Sequence, residues 1–466
     1  MDFSKDVKSL CLGEEVILVN LKTSSFIKLK KDGWNFLENY IRKNESKEML
    51  TTLNSKEIES LMQLIAHLKE KGYLVDSLEG NIKTPEESDV CLFPKSAYYE
   101  VTKFCNLKCK FCYANPKFSS KKVKGNLDLT KQILIRAKEN LNVKVLALSG
   151  GEPLLREDIF EIIKFSKENF EIVALTTNGV LINKEMAKKL KENGIDQISI
   201  SIESPEKTTH DNLRGKGTFD KCLEAITYLK SAGFTRDTIN ICATINSYNL
   251  WTLERFRKFA NDIDVSMSFS LFQPAGRGAI HPNFKLKRNE FGHFLINLWD
   301  QLKSESFLFG SIEDVNLSFD KLSQKMVPIV KNRCGMVEKL IGIKENGDCV
   351  PCHLFFSVGA EGIVIGNVME ETIGDKMRNF LNRLPTVDDK EKCKECNVRY
   401  FCGGGCYASS YFEYGSFFKP HPNCEEYEKY YSSVLSCLGK EDEAGCFYKA
   451  LYNCFAGDFN SFNPRK

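Results

Sequence analysis

Along the chain, hydrophobic and polar positions change their period more than once, and each change marks a different kind of segment. Glu15–Asn20 (EVILVN) and Phe26–Lys30 (FIKLK) read as two strands around a polar Lys22–Ser25 turn. A helix around Gly33–Ile41 is predicted next. A second is predicted to begin at Asn54, whose side chain can cap it together with Glu57 three residues on. Its stripe of Ile58, Leu61, Met62, Ile65 and Leu68 keeps helical period until Gly72. Residues 1–76 therefore read as a small separate module, and the polar stretch 77–95 as a linker.

From residue 96 the pattern alternates between strands and helices. Strand candidates are Tyr98–Thr102, Val143–Leu148, Ile172–Thr176, Gln197–Ile202, Ile239–Thr244 and Ser266–Leu271. Helical stretches such as Lys184–Glu192 and Phe219–Ser231 separate them. Several strands are apolar on both faces, as parallel strands covered by helices are. The expected fold is α/β: six β/α units over 96–285 predict an open, partial (β/α)6 barrel rather than a closed eight, with functional residues at the strand ends. Residues 286–330 read as bridging helices, 331–430 as a Cys- and Gly-rich domain, and 431–466 as a helical tail that follows EEYEKYYSSVLSCL.

Composition adds one anomaly. Hydrophobic residues at 42%, charged residues at 27% and a net charge of +3 describe an ordinary globular chain of two or three domains. That charge gives no electrostatic case for nucleic acid or a membrane surface. MDFSKDVKSL has no apolar core of a signal segment, and no stretch approaches the roughly 18 apolar residues of a membrane helix, so a cytoplasmic location is expected. A reducing cytosol discourages disulfides, yet there are 18 cysteines. Three fall at 105–112 and eleven in 334–454. Metal binding is the better account.

Cys105-Asn-Leu-Lys-Cys109-Lys-Phe-Cys112 follows the first barrel strand. Three thiolates within eight residues can wrap one corner of a [4Fe–4S] cube and leave the fourth iron without a protein ligand. A structural zinc site would want a fourth ligand, and none lies nearby. The spacing, with aromatic Phe111 inside it, resembles the radical S-adenosylmethionine (SAM) superfamily. The resemblance implies SAM as cofactor. It assigns Ser149, Gly150, Gly151, Glu152 and Pro153 to the SAM amino group at the second strand's end, and adds Asn178 after the third and Ser199 and Ser201 on the fourth. Arg214 and Gln273 complete the expected SAM contacts.

The later spacing, Cys334, Cys352, then Cys393-x2-Cys396-x5-Cys402-x3-Cys406, then Cys424, resembles the SPASM auxiliary-cluster domain. That resemblance implies two further [4Fe–4S] clusters, three in all. Cys393, Cys396, Cys402 and Cys424 would hold the outer one; Cys334, Cys352 and Cys406 would hold the inner one. Many relatives supply a fourth inner ligand where this chain has Val337-Glu338-Lys339-Leu340, so the inner site is expected to have three protein thiolates, with Cys349 the only close substitute. Cys11, Cys91, Cys222, Cys242, Cys437, Cys446 and Cys454 match no motif and read as buried structural thiols.

The N-terminal module resembles the winged-helix-like recognition element for precursor peptides, which binds a leader as an added strand. Together the parts are similar to maturases of ribosomally made peptides, of the sactipeptide and ranthipeptide kind. The expected reaction is a thioether from cysteine sulfur to carbon, with a precursor peptide and an electron donor such as flavodoxin or ferredoxin as partners. Alternatives are carbon–carbon crosslinking such as Lys to Trp, formylglycine formation in a sulfatase, and a non-catalytic iron–sulfur sensor. His353 is the candidate catalytic base. It stands where sulfatase-maturing relatives carry an aspartate, which weakens the formylglycine reading.

Overall fold

The computed structural model describes residues 1–42, 47–76, 94–302, 317–320, 325–359, 362–443, 445–446 and 449–450. At the N-terminus, Val7–Leu12, Glu15–Asn20 and Ser25–Lys30 form an antiparallel sheet with Glu15–Asn20 in the middle. Helices Lys31–Arg42 and Ser55–Glu70 cover it, closing a separate core around Val16, Leu18, Trp34, Leu37 and Leu68. Asn54 caps the second helix: its Oδ1 accepts from the amides of Lys56 and Glu57 at 3.0 Å, while Glu57 accepts from the Asn54 amide at 2.9 Å. The strand Val7–Leu12 is an addition to the expected pair. Only Leu10 of its six residues is buried, so its apolar alternation is faint.

The six barrel strands are β1 (Ser96–Thr102), β2 (Val145–Gly150), β3 (Ile172–Thr177), β4 (Gln197–Ser201), β5 (Ile239–Ile245) and β6 (Ser266–Leu271). They are parallel and lie in sequence order, each joined to the next through a helical crossover. Along each strand one face packs on the helices. Tyr99, Val101, Leu146, Leu148, Ile198, Ile200, Ile239 and Ile241 are all fully buried in one core. The opposite face, which includes Glu100, Ser149, Ser199, Ser201, Asn240 and Ser268, carries small or polar side chains. Asn240 Nδ2 ties Ser199 Oγ at 3.0 Å and Ser268 Oγ at 2.8 Å, forming a polar floor.

The sheet does not stop with the barrel. β7 (Leu340–Ile343) runs parallel to β1, and β8 (Asp348–Val350) and β9 (Gly366–Asn367) follow it antiparallel, so nine strands share one sheet. Of the bridging helices expected over 286–330, the described residues show helix Arg288–Leu302, and they show an antiparallel strand pair, Leu317–Asp320 with Lys325–Pro328, where helix was expected. Residues 303–316 and 321–324 lie outside the described residues. The aromatic segment forms helix Cys424–Cys437, burying Tyr427, Tyr430, Tyr431 and Val434. The linker residues 77–93 and the tail residues 451–466 lie outside the described residues. No helix among the described residues is long and apolar enough to cross a membrane.

Candidate active site

At the C-terminal end of β1 the chain turns through the Cys105–Cys112 loop, framed by a short parallel pairing of Phe104–Cys105 with Lys117–Phe118. Donors surround the sulfurs. The Leu107 amide lies 3.4 Å from Cys105 Sγ and Asn178 Nδ2 lies 3.8 Å from it, the latter also bonding Asn106 Oδ1 at 2.8 Å. Arg214 Nη1 lies 3.9 Å from Cys109 Sγ, and its guanidinium lies over the Phe111 ring at 5.3 Å. Phe111, Leu213, Phe272 and Phe284 pack around Cys109 as an apolar wall.

Burial pushes the Cys105 thiol up to about 12, and the nearby Glu152 charge adds to this. Burial also raises Cys109, against the pull of Arg214. Such thiols become thiolates against a metal. Among the described residues, no three His, Cys, Asp or Glu side chains converge as ligands of a single ion. Soft sulfurs spread apart and ringed by N–H donors and a guanidinium fit an anionic iron–sulfur group instead.

Arg214 is anchored from behind by Glu203, which is fully buried and 2.6 Å away; Glu203 Oε2 also accepts from the Thr244 amide at 2.7 Å. His210 and Asp211, in the same stretch, serve the fold. His210 Nδ1 accepts from the Glu203 amide, and Asp211 accepts from the amides of Gly217 and Phe219.

The Ser149–Pro153 turn at the end of β2 lies against the root of the cysteine loop. The Gly151 amide donates to Thr102 O and the Glu152 amide to Phe104 O, both at 2.8 Å. A Cβ on Gly151 would stand 2.1 Å from Phe104 O, so only glycine fits. Glu152 itself points inward, accepting from Thr177 Oγ1 and the Asn178 amide at 2.8 Å and from the Leu154 amide at 3.1 Å. It braces the turn to β3. Ser199 and Ser201 face the barrel interior, Ser199 within the polar floor. Gln273 lies farther out, its Oε1 accepting from Ser409 Oγ at 2.9 Å across the barrel–C-terminal boundary.

Arg277 belongs to this site although its role was not read from sequence. Its amide donates to Cys112 O at 2.9 Å, its Nε to Cys109 O at 3.0 Å and its Nη1 to Pro116 O at 3.1 Å. It clamps the cysteine loop by its backbone.

In the C-terminal domain, Cys393, Cys396, Cys402 and Cys424 lie close enough to feel one another's charge; burial, the larger effect, lifts Cys396 to about 11 and Cys402 and Cys424 to about 12. Between Cys402 and Cys406, Gly403, Gly404 and Gly405 all have positive φ, which turns the chain tightly. Cys334, Cys406, Cys393 and Cys402 lie near enough to act on Lys390, whose side chain packs beside Gly404. Cys349 stands apart. It is fully buried on β8, its Sγ 3.8 Å from Gly347 O, and the charges near it are those of Asp348 and Glu370.

Tyr113 lies near both Cys112 and Cys352. His353 stacks on Tyr98 at 4.3 Å and meets Tyr113 edge-on at 5.6 Å. Among the described residues its buried Nδ1 has no hydrogen-bond partner, and burial pulls its pKa to about 4, so the ring is neutral near pH 7. Glu100, on the same face of β1 as Tyr98, is buried with Oε2 unpartnered. Burial lifts its carboxyl to about 7, against the pull of Lys103. Tyr98, Glu100 and Tyr113 carried no sequence signal beyond their place beside the motif.

The cysteines outside the motifs divide. Cys437 and Cys446 form a disulfide, which corrects their reading as separate thiols. Cys11 is exposed and Cys242 half-buried, also contrary to expectation, whereas Cys222 is buried with Sγ 3.3 Å from Asn178 O. Cys91 and Cys454 lie outside the described residues.

Residues 99–260 match the model of the Radical SAM superfamily. Mycofactocin maturase MftC of Mycolicibacterium smegmatis is 27% identical over 366 residues, covering 76% of this chain and 86% of the relative. The AdoMet-dependent heme synthase of Nitratidesulfovibrio vulgaris is 26% identical over 341 residues, 70% of this chain and 90% of its own. Among solved structures, anSMEcpe with bound AdoMet and Cp18Cys peptide aligns with TM-score 0.56 at 20% identity, covering 79% of this chain and all of that one. Streptococcus suis SuiB bound to precursor peptide SuiA aligns with TM-score 0.52 at 17% identity, covering 91% and 99%. The chain thus has the radical SAM fold, with a radical SAM superfamily domain at residues 99–260.

Proposed function

We propose that this protein is a radical SAM maturase of a ribosomally made precursor peptide, and that it joins a cysteine sulfur to a peptide carbon. One observation carries the reading: Tyr113 lies near both Cys112 and Cys352, and its ring meets His353 edge-on at 5.6 Å. A substrate resting on that aromatic wall is within reach of both thiol sites. The names of MftC as a maturase and of SuiA as a precursor peptide, bound by SuiB, support a peptide substrate.

In this reading Cys105, Cys109 and Cys112 hold one cluster, Cys393, Cys396, Cys402 and Cys424 a second, and Cys334, Cys352 and Cys406 a third. Ser149, Gly150, Gly151, Asn178, Arg214 and Phe111 would hold SAM. Bound there, reduced cluster and SAM supply a carbon-centred radical able to take hydrogen from a peptide carbon. The chain's own residues hold and shield. Arg214 and Arg277 fix the cysteine loop, and the apolar wall around Cys109 excludes water. The free Nδ1 of His353 is placed to take a substrate proton. Three thiolates at the inner site leave a position for a substrate cysteine, which would hold sulfur and carbon in one place.

The N-terminal module is docked for delivery. Lys28 Nζ donates to Leu435 O and Leu438 O at 3.4 and 3.3 Å, and Phe26 meets Phe401 edge-on at 5.5 Å. Its outer strand Val7–Leu12 offers an edge to which a leader would add. A flavodoxin or ferredoxin would supply electrons.

A second reading, a tetrapyrrole substrate, is favoured by the likeness to heme synthase. The test is anaerobic reconstitution with dithionite, SAM and cysteine-bearing candidate precursor peptides. Thioether formation yields 5′-deoxyadenosine and a peptide that is lighter by two hydrogens, keeps its sulfur and has one free thiol fewer. Carbon–carbon crosslinking leaves the thiols intact, and an unchanged peptide overturns the proposal. Replacing Cys105, Cys109 and Cys112 by Ala should remove about four of about twelve irons and abolish 5′-deoxyadenosine.

A further inference from the structure

Lys390 lies in a run of charge, Asp388-Asp389-Lys390-Glu391-Lys392, that reads as a solvated surface. Its neighbours on both sides are exposed, but Lys390 is fully buried. Its ammonium lies 3.9 Å from the Tyr407 ring centroid and 3.4 Å from Ser410 Oγ. Among the described residues no carboxylate pairs with it. The acidic groups near enough to act on it are the thiols of Cys393, Cys334, Cys402 and Cys406. Other cations approach the same sulfurs less completely: Arg399, near Cys393, is committed to Asp388, and Lys331, near Cys402, is half-exposed.

Burying an unpaired ammonium is expensive, and a ring face with one hydroxyl offsets little of the cost. Burial pulls the pKa of Lys390 down, the thiols of Cys393, Cys334, Cys402 and Cys406 oppose that pull, and an anionic group held on those sulfurs would supply the counter-charge that keeps the ammonium protonated. Two of them, Cys393 and Cys402, belong to the proposed outer set; Cys334 and Cys406 belong to the inner one. We propose that Lys390 is the shared counter-ion of the two auxiliary clusters, a positioning residue that stabilises each against the other's negative charge and raises the reduction potential of both. Cluster potentials follow net charge and hydrogen bonding at the sulfurs, and one buried cation near members of both sets would act on both at once. Such an arrangement would keep two electron acceptors in one domain without one silencing the other.

The proposal rests on the reading that these cysteines hold two clusters. That reading fails if the wild-type protein binds only the radical-SAM irons; this one fails separately, on potentials measured with full iron. The experiment uses full-length reconstituted protein carrying Cys105→Ala, Cys109→Ala and Cys112→Ala, so that only auxiliary signals remain. Redox titrations followed by electron paramagnetic resonance compare Lys390, Lys390→Met, Lys390→Gln and Lys390→Arg.

With a neutral residue, the reduced-to-oxidised ratio of both clusters at a fixed potential should fall about tenfold, about 59 mV for one electron. Lys390→Arg should stay near the parent. If neither neutral variant takes up auxiliary iron while Lys390→Arg does, the need for a positive charge appears at assembly and supports the proposal. Unchanged potentials in a fully loaded neutral variant overturn it, as does a shift confined to one cluster. Failure of Lys390→Arg to load along with the others would show that Lys390 serves by shape, and would also overturn it.

Discussion

The Arg214 guanidinium sits between two buried groups of opposite kind, the Glu203 carboxylate at 2.6 Å and the Cys109 sulfur at 3.9 Å. Each holds the cation the other needs. Arg214→Gln strands a fully buried carboxylate and should cost about 3–5 kcal/mol in denaturant unfolding. Glu203→Gln with Arg214→Gln removes both charges and should recover most of that stability, while 5′-deoxyadenosine production stays low. Equal stability of the single and double variants would show that the pair is not the anchor.

Gly151 tests the packing of the cysteine loop on the second strand's end. A methyl group there meets the Phe104 carbonyl oxygen at 2.1 Å and must displace the backbone that leads into Cys105. Gly151→Ala should lose about four irons, keep the auxiliary ones, and stop SAM cleavage. Iron analysis with product chromatography checks this.

Cys349 tests the three-thiolate inner site. Its sulfur lies 3.8 Å from Gly347 O, and the charges acting on it are those of Asp348 and Glu370. Cys349→Ala should therefore leave iron content and the auxiliary spectrum unchanged, whereas Cys352→Ala should alter both. Iron lost from Cys349→Ala would close the site and put carbon–carbon crosslinking on equal footing with thioether formation.

Glu100 predicts a pH dependence of stability. Burial is the main reason its carboxyl holds a proton to about 7 in the fold, against an ordinary 4.5; Glu345 adds to the rise, and Lys103 and Lys344 oppose it. Between those values the folded state binds more protons than the unfolded one, so this residue's contribution falls as pH rises and levels off above about 7. Glu100→Gln should remove the slope and gain up to about 3 kcal/mol over wild type at pH 8. Parallel unfolding curves for the two proteins from pH 5.5 to 8 would contradict this.

The parts read well from sequence share a cause: local periodicity with punctuation. Asn54 and Glu57 form their capping box, and the strands from Ile172 and Gln197 begin at the predicted residues. What escaped depends on partners far along the chain. Leu340–Ile343 is a four-residue apolar run with no period of its own, and only β1 makes it a strand. Glu152 reads as a SAM contact because its motif sits at a strand end. Only the fold shows that its carboxylate is spent on Thr177 and Asn178. Lys390 is indistinguishable in sequence from Lys392 and Lys394, which are exposed.

The pairing of β1 with β7 also sets a timetable for synthesis. The first barrel strand leaves the ribosome long before its outer neighbour: the Lys103 amide bonds Glu345, 242 residues later. The N-terminal module, which has its own core, waits longer still, since Lys28 docks on Leu435, 407 residues on. Through that interval the nascent chain carries a bare parallel edge, the kind of surface that pairs with whatever strand is near. A message cut short before codon 340 makes that exposure permanent, and its product is destined for aggregation or proteolysis rather than for a half-active barrel.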